Sequence, residues 1–255
     1  MKGNIIPAIF CLILSCFFSG CNAKIDSKIA DHYNTLGREM LYQVSTINAV
    51  LAGNYDGAKT LAELKEQGDF GIGIIHALDG EMVALDGKFY QLNVDGEAKP
   101  VSDQTKTPFA VVTFFDIDES LSIEEDPISF SSTQKSIDAL RTNKKIFYAI
   151  RIDGEFEFVR TRSFMAQKKP YPKLTKVLRS KQPFQLFERV RGTIVGFWFP
   201  RYMGGIRVFG YHFHFITEDR TRGGHVLNFK LVKGKIEIDH TPNIYVEIVP
   251  PKESN

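Results

Sequence analysis

Short apolar runs punctuated by Asp-Gly dipeptides constrain the fold of this chain more than any other feature. Residues 71–76, 81–85 and 88–94 are parted by Asp79-Gly80 and Asp86-Gly87, and Asp153-Gly154 parts 145–152 from 155–162. Asp-Gly supplies the positive backbone angles of a tight hairpin turn, so the pattern predicts antiparallel strands with short connections. Asp79 and Asp86 are therefore read as turn formers. Further strands are expected over 42–46, 108–116, 184–188, 192–199, 210–217, 225–232, 235–238 and 244–249. Helices are expected at 47–52, stopped by Gly53, and at 132–143. A third, 61–67, opens on the capping-box pair Thr60 and Glu63 and ends at Gly68. The basic, proline-containing segment 167–172 is the candidate boundary between two halves.

Three histidines carry the chemistry. His212 and His214 are two apart on an expected strand, so they project to one face while Phe213 and Phe215 take the other. The polar loop 218–224 turns the chain back, and His225 opens the returning strand beside them. A lone His-x-His is ordinarily an exposed or hydrogen-bonded pair. Here three of the chain's six histidines fall between 212 and 225, which favours a facial site for a divalent metal. A structural zinc site would be closed by a fourth protein ligand, so three imidazoles point to catalysis.

Composition bounds the rest. With 43% hydrophobic residues and 21 Phe, the 255-residue chain can bury a large core. Lys and Arg number 32 against 30 Asp and Glu, a net +2 that excludes a nucleic-acid binder. Lys2 and the apolar stretch 5–18 form an export leader, too short for a membrane span. Phe18-Ser-Gly-Cys21 resembles a lipoprotein box in which Cys21 becomes the lipidated first residue, although Phe18 replaces the usual Leu. Ordinary cleavage after Ala23 is the alternative. Either version predicts an exported protein, with 24–41 as a tether and the membrane met only through a lipid anchor, in the periplasm or at the cell surface. All three cysteines (Cys11, Cys16, Cys21) lie in the leader, so no disulfide is expected in the folded part.

Several segments together resemble the α-acetolactate decarboxylase family. They run in order from about residue 42 to 250: 45–57, 68–73, Leu78-Asp-Gly-Glu-Met82, 85–91, Pro108-Phe-Ala110, 147–154, 193–197 and the histidine block. The resemblance implies a two-part, β-rich α+β fold with a mixed N-terminal sheet and an antiparallel C-terminal sheet that holds the metal. It implies a homodimer that turns (S)-2-acetolactate into (R)-acetoin and carbon dioxide. It further implies zinc on His212, His214 and His225, a metal-stabilised enediolate, Glu81 as proton donor and Arg162 as the grip on substrate carboxylate or oxyanion. Without the resemblance, Glu81 reads as a solvated carboxylate after a turn and Arg162 as one of a surface pair with Arg160.

The chain departs from the family pattern at Ile74-Ile75-His76, where a Gly-Thr-Phe segment is common, and at Arg207, where Asn is typical. Asn228 stands where Asp often follows the third His, and Glu253 is the candidate for the family's C-terminal acidic residue. Two other readings compete. His212-x-His214-x-x-x-Glu218 imitates a cupin metal motif, which would make the chain an oxygenase or isomerase. An exported metal- or ligand-binding lipoprotein without turnover is the other.

Overall fold

The computed structural model describes residues 38–124, 126–180 and 183–250, so the leader, Cys21, most of the tether and Glu253 lie outside the described residues. Local signals act where they were expected. Asp86 and Gly87 take φ of 53° and 72°, the paired left-handed angles of a tight hairpin, and set Leu85 opposite Lys88. Thr60 accepts from the Glu63 amide while the Glu63 carboxylate accepts from the Thr60 amide at 2.8 Å, which opens helix Leu61–Lys65. Thr46 caps Ile47–Ala52, and Gly53 ends that helix at φ 99°.

Seven strands form the first sheet, in the order Asn243–Glu247, Met40–Val44, Phe109–Thr113, Phe70–Ile74, Glu81–Leu85, Lys88–Leu92 and Ala98–Pro100. The pairing of Met40–Val44 with Asn243–Glu247 is parallel and the other pairings are antiparallel, so the sheet is mixed. Its parallel edge is the last strand among the described residues, returned across the fold.

The second sheet is antiparallel and built from long strands: Phe147–Arg162, Phe184–Phe199, Gly210–Thr217 and Gly223–Thr241. The hairpin expected at Asp153-Gly154 is absent, because Phe147–Arg162 runs straight through it. Gly154 pairs with Gly192 on one side and Gly234 on the other. A Cβ on Gly154 would stand 2.6 Å from the Lys233 carbonyl oxygen, so here glycine serves close strand approach instead of a turn. The Asp153 carboxylate accepts from Thr193 Oγ1 on the neighbouring strand (2.6 Å) and from Arg151 Nε on its own strand (2.5 Å). Likewise 184–188 and 192–199 are one strand, as are 225–232 and 235–238. The pairing of Phe147–Arg162 with Gly223–Thr241 carries register irregularities near Phe156 and Arg160.

The four long strands close into a ring. Phe147–Arg162 pairs with both Gly223–Thr241 and Phe184–Phe199, the latter pairs with Gly210–Thr217, and that strand returns to Gly223–Thr241 through His214 opposite His225. Phe156, Phe213, Phe215 and Phe229 fill one core on this sheet, beneath helix Phe130–Leu140. A second core joins the two sheets: Phe70, Ile72, Val83 and Val111 pack with Phe147, Val195, Phe197 and Phe199.

Closure of the ring demands small residues. A Cβ on Gly196 would lie 2.2 Å from the His212 carbonyl oxygen and 2.4 Å from Phe213 Cδ1. Gly196→Ala should therefore push the histidine strand outward and cost about 1–3 kcal/mol, read as a lowered midpoint in urea. A separate expectation concerns pH. Burial, reinforced by the carboxylates of Glu39, Asp118 and Asp116, raises Asp239 to about 8. The folded chain thus holds a proton that the unfolded chain has lost above about pH 4. Stability from this group is complete below that and declines as pH rises toward 8. Asp239→Asn should leave thermal stability unchanged near pH 4 and raise it progressively relative to wild type up to pH 8, with no further gain above.

Candidate metal centre and active site

Register assembles the site. Arg162 lies opposite His225, and His225 lies opposite His214, so the three stand side by side on adjacent strands about 4.8 Å apart. His212, two residues before His214, shares its face. The ring centroids are 5.2 Å (212 to 214), 4.9 Å (212 to 225) and 5.4 Å (214 to 225) apart. One ring nitrogen of each lies within 4.8 Å of the others. The alternation that faces these imidazoles together sends Phe213 and Phe215 into the core behind them.

The triad is prepared as a ligand set. His214 is fully buried, and its Nδ1–H donates to the Met82 carbonyl at 2.9 Å, which turns the Nε2 lone pair toward the other two rings. That Nε2 has no hydrogen-bond partner among the described residues. His212 Nε2 and His225 Nδ1 are 3.1 Å apart, close to the spacing of about 3.3 Å between nitrogens on a tetrahedral zinc. Burial lowers all three imidazoles, His214 to about 3, and the nearby Arg162 adds to it. Neutral imidazole is the form a metal needs. The donor set therefore fits a divalent ion.

Glu81 enters from the first sheet. It begins strand Glu81–Leu85, is 3% exposed, and its Oε2 lies 3.5 Å from His214 Nε2. Burial raises its carboxyl to about 8 against the lowering pull of Arg162, so both partners of this contact are neutral near pH 7 and it is no ion pair. Glu81, Arg162, His212 and His225 line one cavity of about 330 Å³, walled by Val50, Ile72, Ile74, Phe109, Phe164 and Leu174.

The cavity also holds residues that the sequence did not place there. Arg207 is 2% exposed, and Tyr211 donates its hydroxyl to Asp138 at 2.5 Å. Arg207 stood out only as a departure from the family pattern, and Tyr211 gave no signal beyond its place beside His212. Glu218 does not join the triad. Its side chain is 68% exposed and lies 3.4 Å from Arg191 Nε, so the cupin-like ligand set is not assembled. His76 is exposed and its Nδ1 accepts from the Gly57 amide, and Asn228 is exposed on the strand beyond His225. The connector 167–172 lies against the first half, with Gln167 N donating to Ala77 O and Lys169 paired with Asp56.

The comparison with known proteins agrees with this geometry. A family model described as alpha-acetolactate decarboxylase matches residues 41–254. The chain belongs to that family. It is 43% identical over 232 residues to the alpha-acetolactate decarboxylase of Methanosarcina mazei, covering 90% of this chain and 80% of that one. The Bacillus subtilis enzyme is 42% identical over 208 residues, covering 82% and 81%. A crystal structure of alpha-acetolactate decarboxylase from Bacillus subtilis strain 168 superposes with a TM-score of 0.80 at 41% identity, over 84% of this chain and 90% of the other. A Staphylococcus aureus protein of unknown function, similar to alpha-acetolactate decarboxylase, gives 0.79 at 32% identity, over 82% and 89%. Membership makes the chain an enzyme of the carboxy-lyase class and bears out the β-rich two-sheet fold expected from the decarboxylase resemblance.

The fit of the triad to a divalent ion has a direct test. Zinc should raise the thermal midpoint of the wild type, by the equivalent of about 2.7 kcal/mol at a hundredfold excess over the dissociation constant. A chelator should reverse the rise, and His214→Ala should show none.

Proposed function

We propose that this chain decarboxylates (S)-2-acetolactate to (R)-acetoin and carbon dioxide with zinc on His212, His214 and His225. The observation that carries the reading is that three imidazoles held neutral by burial stand together, and that two of them, His212 and His225, line a single largely apolar cavity with the buried Glu81 carboxyl and the Arg162 guanidinium. Acetolactate is a 2-hydroxy-3-oxo acid. Zinc, when bound, supplies Lewis acidity at its oxygens.

The remaining work falls to the chain's own side chains. Arg162, in register with His225, sets a fork of donors at the end of the cavity where negative charge develops. Ile72, Ile74, Phe109 and Phe164 exclude water from the reacting carbon. As the bond from C2 to the carboxylate breaks, carbon dioxide leaves and the electron pair moves toward the ketone oxygen, giving an enediolate. Glu81, still protonated at neutral pH, delivers its proton to C2 from one face and regains one from water. Delivery from a fixed side chain accounts for a single product hand. The same reading takes the protein to be exported through its leader, with Cys21 lipidated, and to act as a homodimer.

The test is acetoin formation from racemic acetolactate by the zinc-loaded protein. Wild type should produce acetoin, and Glu81→Gln should lower kcat by about 10²–10⁴ while retaining zinc. Failure of a folded, zinc-replete wild type to form acetoin would favour a binding protein instead.

A further inference from the structure

Arg207 is a charged group in the cavity that the proposed reaction does not use. It sits on the loop between the short turn Arg201–Met203 and strand Gly210–Thr217, and it is 2% exposed. Nε, Nη1 and Nη2 all lack a hydrogen-bond partner among the described residues. Its guanidinium carbon lies 4.9 Å from the Phe109 ring centroid and 4.5 Å from that of Phe199. Aromatic faces offset part of the charge but leave the in-plane N–H donors unmet. Arg162 shares the cavity, and its Nε too is without a partner among the described residues. Against these two guanidiniums the lining supplies one carboxyl, Glu81, which lies against His214.

The position of Arg207 is built. Gln43 Nε2 donates to the Ile206 carbonyl at 3.1 Å and the Ile47 amide donates to the same oxygen at 2.9 Å. The Asn48 amide reaches the Gly205 carbonyl at 3.3 Å, and the Arg207 amide closes on Met203 O at 2.9 Å. Gly205 sits at φ 86°, where a residue with a side chain is strained, and a Cβ there would stand 2.9 Å from Asn48 Nδ2. A buried charge held this firmly with its donors unpaired among the described residues is costly unless a ligand completes it.

We propose that Arg207 binds a second anionic group of the ligand, so that the cavity takes dianionic 2-hydroxy-3-oxo acids, relatives of acetolactate in which one alkyl substituent ends in a carboxylate. A monoanion answers one guanidinium and leaves the other bare. The carboxylate that departs as carbon dioxide also loses its charge, and a guanidinium paired to it would hold back the step. On a spectator carboxylate the pairing persists from bound substrate to product. Arg207 therefore contributes binding and selectivity, and its loss raises KM and leaves kcat little changed.

This rests on the decarboxylase reading only for the hydroxy-oxo acid core of the ligand. The test is calorimetric binding of two unreactive five-carbon probes, 2-hydroxyglutarate and 2-hydroxypentanoate, to the zinc-loaded protein. They differ in whether the chain ends in a carboxylate or a methyl group. Wild type should bind the dicarboxylate at least tenfold more tightly. In Arg207→Met, checked for fold and zinc content, the two probes should bind within about twofold of each other, while Arg207→Lys retains part of the preference. Equal affinities in the wild type would overturn the proposal without any variant being needed. So would a preference that survives Arg207→Met, because the second carboxylate would then be bound by zinc or Arg162. Acetoin formation is scored separately. An inactive protein that still prefers the dicarboxylate through Arg207 sinks the decarboxylase reading alone, and an active one with no preference sinks this inference alone.

Discussion

One hydrogen bond across the seam of the two sheets organises the chemistry. The imidazole of His214 belongs to the closed ring of long strands, and the Met82 carbonyl that it meets belongs to the first sheet. That bond selects the tautomer of the histidine and fixes its ring. It also brings Glu81, the residue before Met82, to the other nitrogen. Because Met82 and Glu81 are consecutive, the carbonyl that orients His214 and the carboxyl beside it cannot move independently. Slippage of one sheet against the other would break both relations together. The apolar layer between the sheets, with Phe70 edge-on to Phe197 at 5.9 Å, resists that slip. Packing energy is in this way converted into the placement of polar atoms.

The cavity gathers groups that would repel or cost free energy if left charged. The imidazoles solve this by staying neutral, and Glu81 by keeping its proton. Both outcomes follow from one cause, removal of water by the surrounding Ile, Leu and Phe side chains. The same cause gives an acid and a set of bases that coexist at neutral pH. Arginine cannot escape by losing its proton near neutral pH, since even burial lowers Arg207 only to about 9. The guanidiniums are thus the fixed charges of the site, and they give it a cationic lining before any metal is counted.

What the sequence discloses and what it hides divide along contact range. Features decided within a few residues were legible: the capping box at Thr60, the turn at Asp86-Gly87, the stop at Gly53 and the same-face pair His212 and His214. Asp153-Gly154 misled because the dipeptide is compatible with two outcomes. Its neighbours Gly192 and Gly234, distant in sequence, decide for close strand approach. The ring could not be read for the same reason, since it depends on Gly196 meeting the His212 carbonyl. Glu81 and Arg162 needed the family resemblance, because nothing in their own segments says that the other sheet will bury them. Arg207 was visible as an unusual residue, yet a lone arginine in a loop carries no mark of the two phenylalanine rings that enclose it.

The last strand gives the chain order its physical sense. Asn243–Glu247 leaves the second sheet and pairs in parallel with Met40–Val44, and the Ser45 amide donates to the Glu247 carbonyl at 2.8 Å. That edge holds Gln43, whose amide nitrogen donates both to the Ser45 carbonyl and to the Ile206 carbonyl. Ile206 is the residue before Arg207. A route of direct hydrogen bonds therefore runs from the C-terminal strand, through the first strand, to the loop that carries the cavity's second guanidinium. The strand with the least local reason to exist, short, half-exposed and parallel, is the one that ties the beginning of the fold to its end. Without it, Met40–Val44 would become an edge strand, and the loop beside the histidines would lose its support from behind.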